Sequence, residues 1–123
     1  MKHTILLIED NEQNRYLATF LLEKAGYSVV PAADGQLGIE LAARILPQLI
    51  LLDIQLPTMD GHAVAQALRR NPLLERIPIV AVTSYAMAGD REKALASGCT
   101  GYLEKPIDPE TFAAAVEHFL KAT

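Results

Sequence analysis

The sequence predicts a doubly wound α/β domain, with five parallel strands in one sheet and five helices distributed over both of its faces. Three observations predict it. Apolar runs of strand length alternate with amphipathic segments of helix length from one end of the chain to the other. Two of the runs, Leu49-Ile50-Leu51-Leu52 and Ile79-Val80-Ala81-Val82, are apolar at every position, as expected of strands covered on both faces. The chain has 123 residues, half of them hydrophobic, which suits one domain over residues 1–123 with a real core and leaves no room for a second.

The elements follow in order. The first strand is read over Thr4 to Ile8. A helix from Glu12 to Ala25 follows, with Leu17, Phe20 and Leu21 as its apolar stripe and Gly26 as its stop. The second strand is read over Tyr27 to Val30, and the second helix over Gln36 to Leu46, with the stripe Leu37, Leu41 and Ile45 closed by Pro47. Leu49 to Leu52 is the third strand and Gly61 to Arg70 the third helix. Ile79 to Val82 is the fourth strand, and the fourth helix runs from Gly89 to Ser97, stopped by Gly98. Gly101 to Leu103 is the fifth strand. The last helix opens on Asp108 as cap with Pro109 in its first turn, and its stripe is Phe112, Ala115, Val116, Phe119 and Leu120. Right-handed crossovers then place helices on both faces.

Charge and composition exclude several classes of function. The formal net charge is -4 and there is no basic run, which argues against direct nucleic-acid binding. No apolar run exceeds strand length, so neither a signal peptide nor a membrane span is expected, and the cytoplasm is the expected location. Cys99 is the single cysteine, which precludes an internal disulfide, fits a reducing compartment and reads as a small buried residue. His3, His62 and His118 are scattered, and no metal site is expected among them. Met87 suits either a contact surface or packing at the rim of the core.

In a doubly wound sheet, ligands bind beyond the carboxyl ends of the strands, near the switch point of strand order. Glu9, Asp10 and Asn11 follow the first strand, Asp53 the third, Thr83 and Ser84 the fourth, and Lys105 and Pro106 the fifth. Each has an ordinary alternative: Glu9 and Asp10 as helix caps, Asp53 as a turn residue before Leu56-Pro57 and Met59-Asp60-Gly61, Thr83 as a strand-end hydrogen bonder, Lys105 as a solvated lysine. Together they are different. Three carboxylates at the mouth of a core repel, and either a proton on one of them or a hard divalent cation such as Mg²⁺, bound through oxygen, resolves the repulsion. A cation site, a carboxylate nucleophile, a hydroxyl donor and an ammonium are what phosphoryl transfer requires.

These residues give the chain its resemblance to the receiver domains of two-component response regulators. The matching runs are Ile8-Glu9-Asp10-Asn11, Leu52-Asp53-Ile54-Gln55-Leu56-Pro57, Met59-Asp60-Gly61, Ala81-Val82-Thr83-Ser84 and Leu103-Glu104-Lys105-Pro106, in the right order and at the ends of the right strands. Within the family the chain is most similar to single-domain receivers of the DivK type and to the receivers of hybrid histidine kinases, on Glu9-Asp10-Asn11-Glu12 and the stretch from Pro78 to Asp90. The resemblance implies a flavodoxin-like topology, Asp53 as phosphoacceptor, and a Mg²⁺ site of Glu9, Asp10, Asp53 and the backbone carbonyl of Gln55. It implies Thr83 and Lys105 as partners of the phosphoryl group, a cis Lys105-Pro106 bond, Tyr102 as the aromatic switch, and Gln55 and Tyr85 as residues that tune phosphoryl lifetime. It implies a histidine kinase or histidine phosphotransfer protein as donor. It also implies a downstream protein target at the face of the fourth helix, fifth strand and fifth helix.

Other classes fit less well. Haloacid-dehalogenase-like phosphatases need a second carboxylate two residues after the nucleophile, where this chain has Gln55. The Gly-rich loops of P-loop and dinucleotide-binding enzymes are absent, and acids follow the first strand instead. A phosphorylation-independent interaction module of the same fold remains the alternative. The expectation is therefore a signalling domain, not an enzyme beyond its own phosphorylation and dephosphorylation.

Overall fold

A computed structural model of the chain describes residues 3–56, 59–83, 89–105 and 107–121. The expectations for Pro57, Ser84, Tyr85, Met87 and the Lys105-Pro106 bond fall on residues outside that set. Five strands, β1 (Thr4–Ile8), β2 (Ser28–Ala32), β3 (Leu49–Asp53), β4 (Ile79–Thr83) and β5 (Gly101–Glu104), form one parallel sheet in the order β2-β1-β3-β4-β5. Between them lie α1 (Glu12–Lys24), α2 (Gly35–Ile45), α3 (Gly61–Arg69) and α4 (Asp90–Ala96), and α5 (Phe112–Lys121) closes the chain. A short 3₁₀ turn, Pro72–Leu74, lies after α3 and is not evident in the sequence pattern.

Strand side chains alternate between two cores. Leu6, Ile8, Ile50 and Leu52 pack with Ala42 of α2, Val64 and Leu68 of α3 and Ala94 of α4. Ile5, Leu7, Leu49 and Leu51 pack with Ala18 and Leu22 of α1 and with Phe112 and Val116 of α5. The sheet is thus covered on both sides, which explains why β3 and β4 are apolar throughout. Cys99 belongs to the first core, and burial pushes its thiol up to about 11.

Several boundaries and stripes differ from expectation. β2 continues through Pro31, which pairs with Leu7. β2 is an edge strand, so the missing proline N–H leaves no ladder partner wanting on its outer side. In α1 the buried residues are Ala18 and Leu22, whereas Phe20 is exposed. In α2 they are Gly35, Gly38 and Ala42, and Leu37 is exposed. Small residues sit inside because the helices approach the sheet closely: a Cβ on Gly38 would lie 2.4 Å from Ile8 Cδ1. α5 begins at Phe112, not at Pro109. The Asp108 carboxylate accepts from Glu110 N at 2.9 Å, closing a side-chain turn two residues on, and this turn delays the helix. α2 ends in Leu46, a non-glycine residue at φ 47°, in the left-handed region.

The amino-terminal edge of the sheet is tied together by Arg69, at the end of α3. Its guanidinium donates to the carbonyls of Gly98 at 2.7 Å, Ile77 at 2.7 Å and Leu74 at 3.0 Å, and to Thr100 Oγ1 at 3.0 Å. Gly98, at φ 113°, leaves room for this side chain, because a Cβ there would lie 2.5 Å from Arg69 Cγ.

Candidate functional site

The order β2-β1-β3 puts the switch point between β1 and β3, so the residues leaving those strands meet at one edge of the sheet. Glu9 is held to β2 by its N–H, which donates to Ala32 O at 3.0 Å, and its carboxylate is buried. Asp10 is exposed. The cap of α1 is neither of them. Asn11 takes that role, its side-chain oxygen accepting from Asn14 N at 2.9 Å, which frees both acids for other work. Arg15, one turn into α1, donates to Glu9 O at 2.9 Å and Asp10 O at 3.3 Å and fixes the segment that carries them.

Asp53 ends β3 with its carboxylate buried, Oδ1 accepting from Gln55 N at 2.9 Å. Behind it the chain is pressed against the start of α3. Gly61 N donates to Ile54 O at 3.1 Å, and a Cβ on Gly61 would sit 2.4 Å from Ile54 Cα, so only glycine fits. Lys105 leaves β5 with its N–H donating to Thr83 O at 2.8 Å. Its ammonium reaches across β4 to the acids, 2.9 Å from Glu9 Oε1 and 3.3 Å from Asp53 Oδ2.

Oxygens of Glu9, Asp10 and Asp53 lie within 4.8 Å of one another, the one group of this kind among the described residues. Burial raises the Glu9 carboxyl to about 7, helped by its hydrogen bond with Asp53 and resisted by Lys105. Burial also works against Asp53, but the Glu9 hydrogen bond, the Gln55 N–H and the Lys105 ammonium outweigh it and hold Asp53 below the usual carboxylate range. Burial acts to lower Lys105, yet its bond to Glu9 and the charge of Asp53 raise it further. Without a cation, then, burial favours a proton on Glu9 while Asp53 is favoured as the anion beside the Lys105 ammonium. Three convergent carboxylate oxygens, one donor exposed, form a hard donor set suited to Mg²⁺, and a divalent cation removes the need for that proton.

Thr83, buried at the end of β4, is linked to the acids indirectly. Gln55 Nε2 donates to Thr83 Oγ1 at 3.0 Å. Both residues line a cavity of about 220 Å³ whose far wall includes His62, Ala94 and Tyr102. Tyr102 also lines an open groove of about 530 Å³ with Arg91, Leu95, Leu103 and Phe119, on the face made by α4, β5 and α5. The structure therefore gathers Glu9, Asp10, Asp53 and Lys105 into one cluster, places Thr83 beside it and puts Tyr102 across a cavity. The bond from the Gln55 side chain to Thr83 and the reach of Arg15 to Glu9 gave no signal in the sequence. Their roles depend on where two loops end in space.

The family profile described as response regulator receiver domain matches residues 5–117. The chain belongs to that family. A curated relative of this receiver domain, the polar-differentiation response regulator DivK of Brucella anthropi, is 38% identical over 120 residues, covering 98% of each chain. Among solved structures, the receiver domain is similar to the chemotaxis protein CheY4 of Vibrio cholerae, with a TM-score of 0.92 and 28% identity over 97% of this chain and 99% of that one. It is also similar to the receiver domain of the sensor histidine kinase PA1611 of Pseudomonas aeruginosa, with a TM-score of 0.90 and 33% identity over 98% of this chain and 99% of that one. That structure has a magnesium ion coordinated in its active-site cleft. The flavodoxin-like receiver fold expected from the sequence is the fold observed, and the chain is a signalling domain of the two-component type. No described helix is long and apolar enough to cross a membrane.

Proposed function

We propose that this receiver domain takes a phosphoryl group from a phosphohistidine of a partner, a histidine kinase or histidine phosphotransfer protein, onto Asp53. The observation that carries this reading is the geometry at the Asp53 carboxylate: buried at the end of β3, 3.3 Å from the Lys105 ammonium and in one cluster of oxygens with Glu9 and Asp10. In the step, an Asp53 oxygen forms a bond to phosphorus, the phosphorus–nitrogen bond breaks, and the histidine ring keeps the electron pair. Glu9, Asp10, Asp53 and the Gln55 carbonyl would hold Mg²⁺, which supplies charge neutralisation for the phosphoryl oxygens when bound. Lys105 offers its ammonium to another of those oxygens, and Thr83 its hydroxyl. The domain acts as a single unit without nucleic-acid contact, in the cytoplasm.

The response is conformational. The phosphoryl group brings a charge of roughly -1.5 to -2 at pH 7 and new acceptor oxygens. Thr83 moves toward them, Tyr102 turns into the vacated cavity, and the face of α4, β5 and α5 is remodelled for a downstream protein target. The position of Tyr102 between cavity and outer groove supports this route. The test is labelling with a small phosphodonor. Wild-type protein is expected to form an acid-labile, hydroxylamine-sensitive phosphate only with Mg²⁺ or Mn²⁺ present, and Asp53→Asn none. Equal labelling of Asp53→Asn, or full labelling in excess EDTA, would sink the proposal.

A further inference from the structure

Gln55 touches the site twice. Its backbone N–H donates to Asp53 Oδ1 at 2.9 Å, and its carboxamide donates to Thr83 Oγ1 at 3.0 Å. The second bond joins the loop after β3 to the end of β4, across 28 residues of sequence. Its geometry matters because Gln55, Thr83 and Tyr102 line the same cavity. The carboxamide holds the threonine hydroxyl beside the cavity that Tyr102 also lines.

We propose that Gln55 is a positioning residue that latches Thr83 in the resting state, so that the movement of Thr83 toward a phosphoryl group on Asp53 must break its bond to the carboxamide. This rests on Asp53 being the phosphoacceptor. The same residue meets the acceptor through its N–H, and an acyl phosphate no longer presents a full carboxylate charge to that donor.

The latch makes a directional prediction. A bond present in the resting state and lost in the active one opposes activation by its own net worth, a factor of about five for an ordinary neutral hydrogen bond. Gln55→Met keeps the length and flexibility of the side chain and removes the donor. With Mg²⁺ present, Gln55→Met should half-saturate with beryllofluoride at a concentration about five times lower than wild type. Gln55→Ala should shift in the same direction. In a Thr83→Val background, which has no hydroxyl to hold, Gln55→Met should bring no gain. In metal-free protein with no phosphate mimic, the Thr83 methyl resonance should move in Gln55→Met toward its beryllofluoride-bound position. A general structural role for Gln55 predicts neither the dependence on Thr83 nor the resting-state shift.

Unchanged or weaker beryllofluoride binding in both Gln55 variants overturns the latch, as does a Thr83 methyl that stays in place. An equal gain in the Thr83→Val background also overturns it. Wild-type protein that neither labels nor binds beryllofluoride overturns the phosphoacceptor reading instead, and the methyl shift of the resting protein then still decides whether Gln55 restrains Thr83.

Discussion

Glu9 is the residue with most to lose from its surroundings. Its carboxyl is raised from 4.5 to about 7, first by burial and then by the hydrogen bond with Asp53. A folded state that binds a proton more tightly than the unfolded one gains stability at low pH and gives it up as pH rises through the folded value. Asp53 is held below 3.8 and works in the opposite sense, contributing stability that is lost on acidification below that value. Metal-free protein should therefore be most heat-stable in mildly acidic solution and lose melting temperature as pH climbs through about 7. Thermal unfolding in EDTA checks this. Glu9→Gln should flatten the fall on the alkaline side, and a fall of the same size in that variant would remove Glu9 as its cause. Much of the site was legible at this scale. Acids after β1 and β3, a hydroxyl after β4 and a lysine after β5 are sequence facts, and parallel strands carry them to one edge. What could not be read were the long-range polar contacts. That Arg15 would reach back to Glu9 O, or Gln55 across to Thr83, depends on side-chain reach between loops that no local pattern encodes.

Among the elements, strands were easier to read than helices. β1 lies where its apolar run lies, and β3, β4 and β5 each extend one residue past theirs. Helix faces were misread where small residues do the burying. Hydrophobic stripes in α1 and α2 pointed to Phe20 and Leu37, while Ala18, Gly38 and Ala42 are the residues against the sheet. Size, not polarity, selects those positions, because Gly38 leaves no room for a Cβ beside Ile8. α5 has large buried residues, Phe112 and Val116, and there the periodicity was a sound guide. The end of α2 offers a test of local strain. Leu46 closes the helix at φ 47° with its side chain substantially exposed. A left-handed conformation costs a branched residue about 1 to 2 kcal/mol, and glycine avoids it at some cost in unfolded-state entropy. Leu46→Gly should therefore raise unfolding stability by about 0.5 to 1 kcal/mol in urea titrations. A loss instead would show that the contacts of the leucine outweigh its backbone.

Taken whole, the molecule is polar at both edges of its sheet, in different ways. At the carboxyl edge the groups are charged and crowded: the Lys105 ammonium contacts both Glu9 and Asp53. At the amino edge Arg69 binds fixed backbone acceptors of three segments. Arg69→Met should keep much of the aliphatic packing yet strand those carbonyls, and is expected to cost about 3 kcal/mol in urea denaturation. The labelling proposed for Asp53 should persist in the folded variant, since Arg69 lies at the opposite edge of the sheet from Asp53. A loss below about 0.5 kcal/mol would show that water replaces the guanidinium freely.

The Arg69 clamp has a mechanical consequence. It fastens the end of α3 to the segment before β4 and to the turn that leads into β5, the two strands whose far ends carry Thr83 and Lys105. A disturbance at the acceptor cannot be relieved by sliding β4 or β5 lengthwise, because their roots are bolted. The arrangement favours a swing of their far ends, with the guanidinium as fulcrum, and α4 packs against β5. A small displacement near Asp53 is then expected to pass sideways into α4 rather than travel down the sheet.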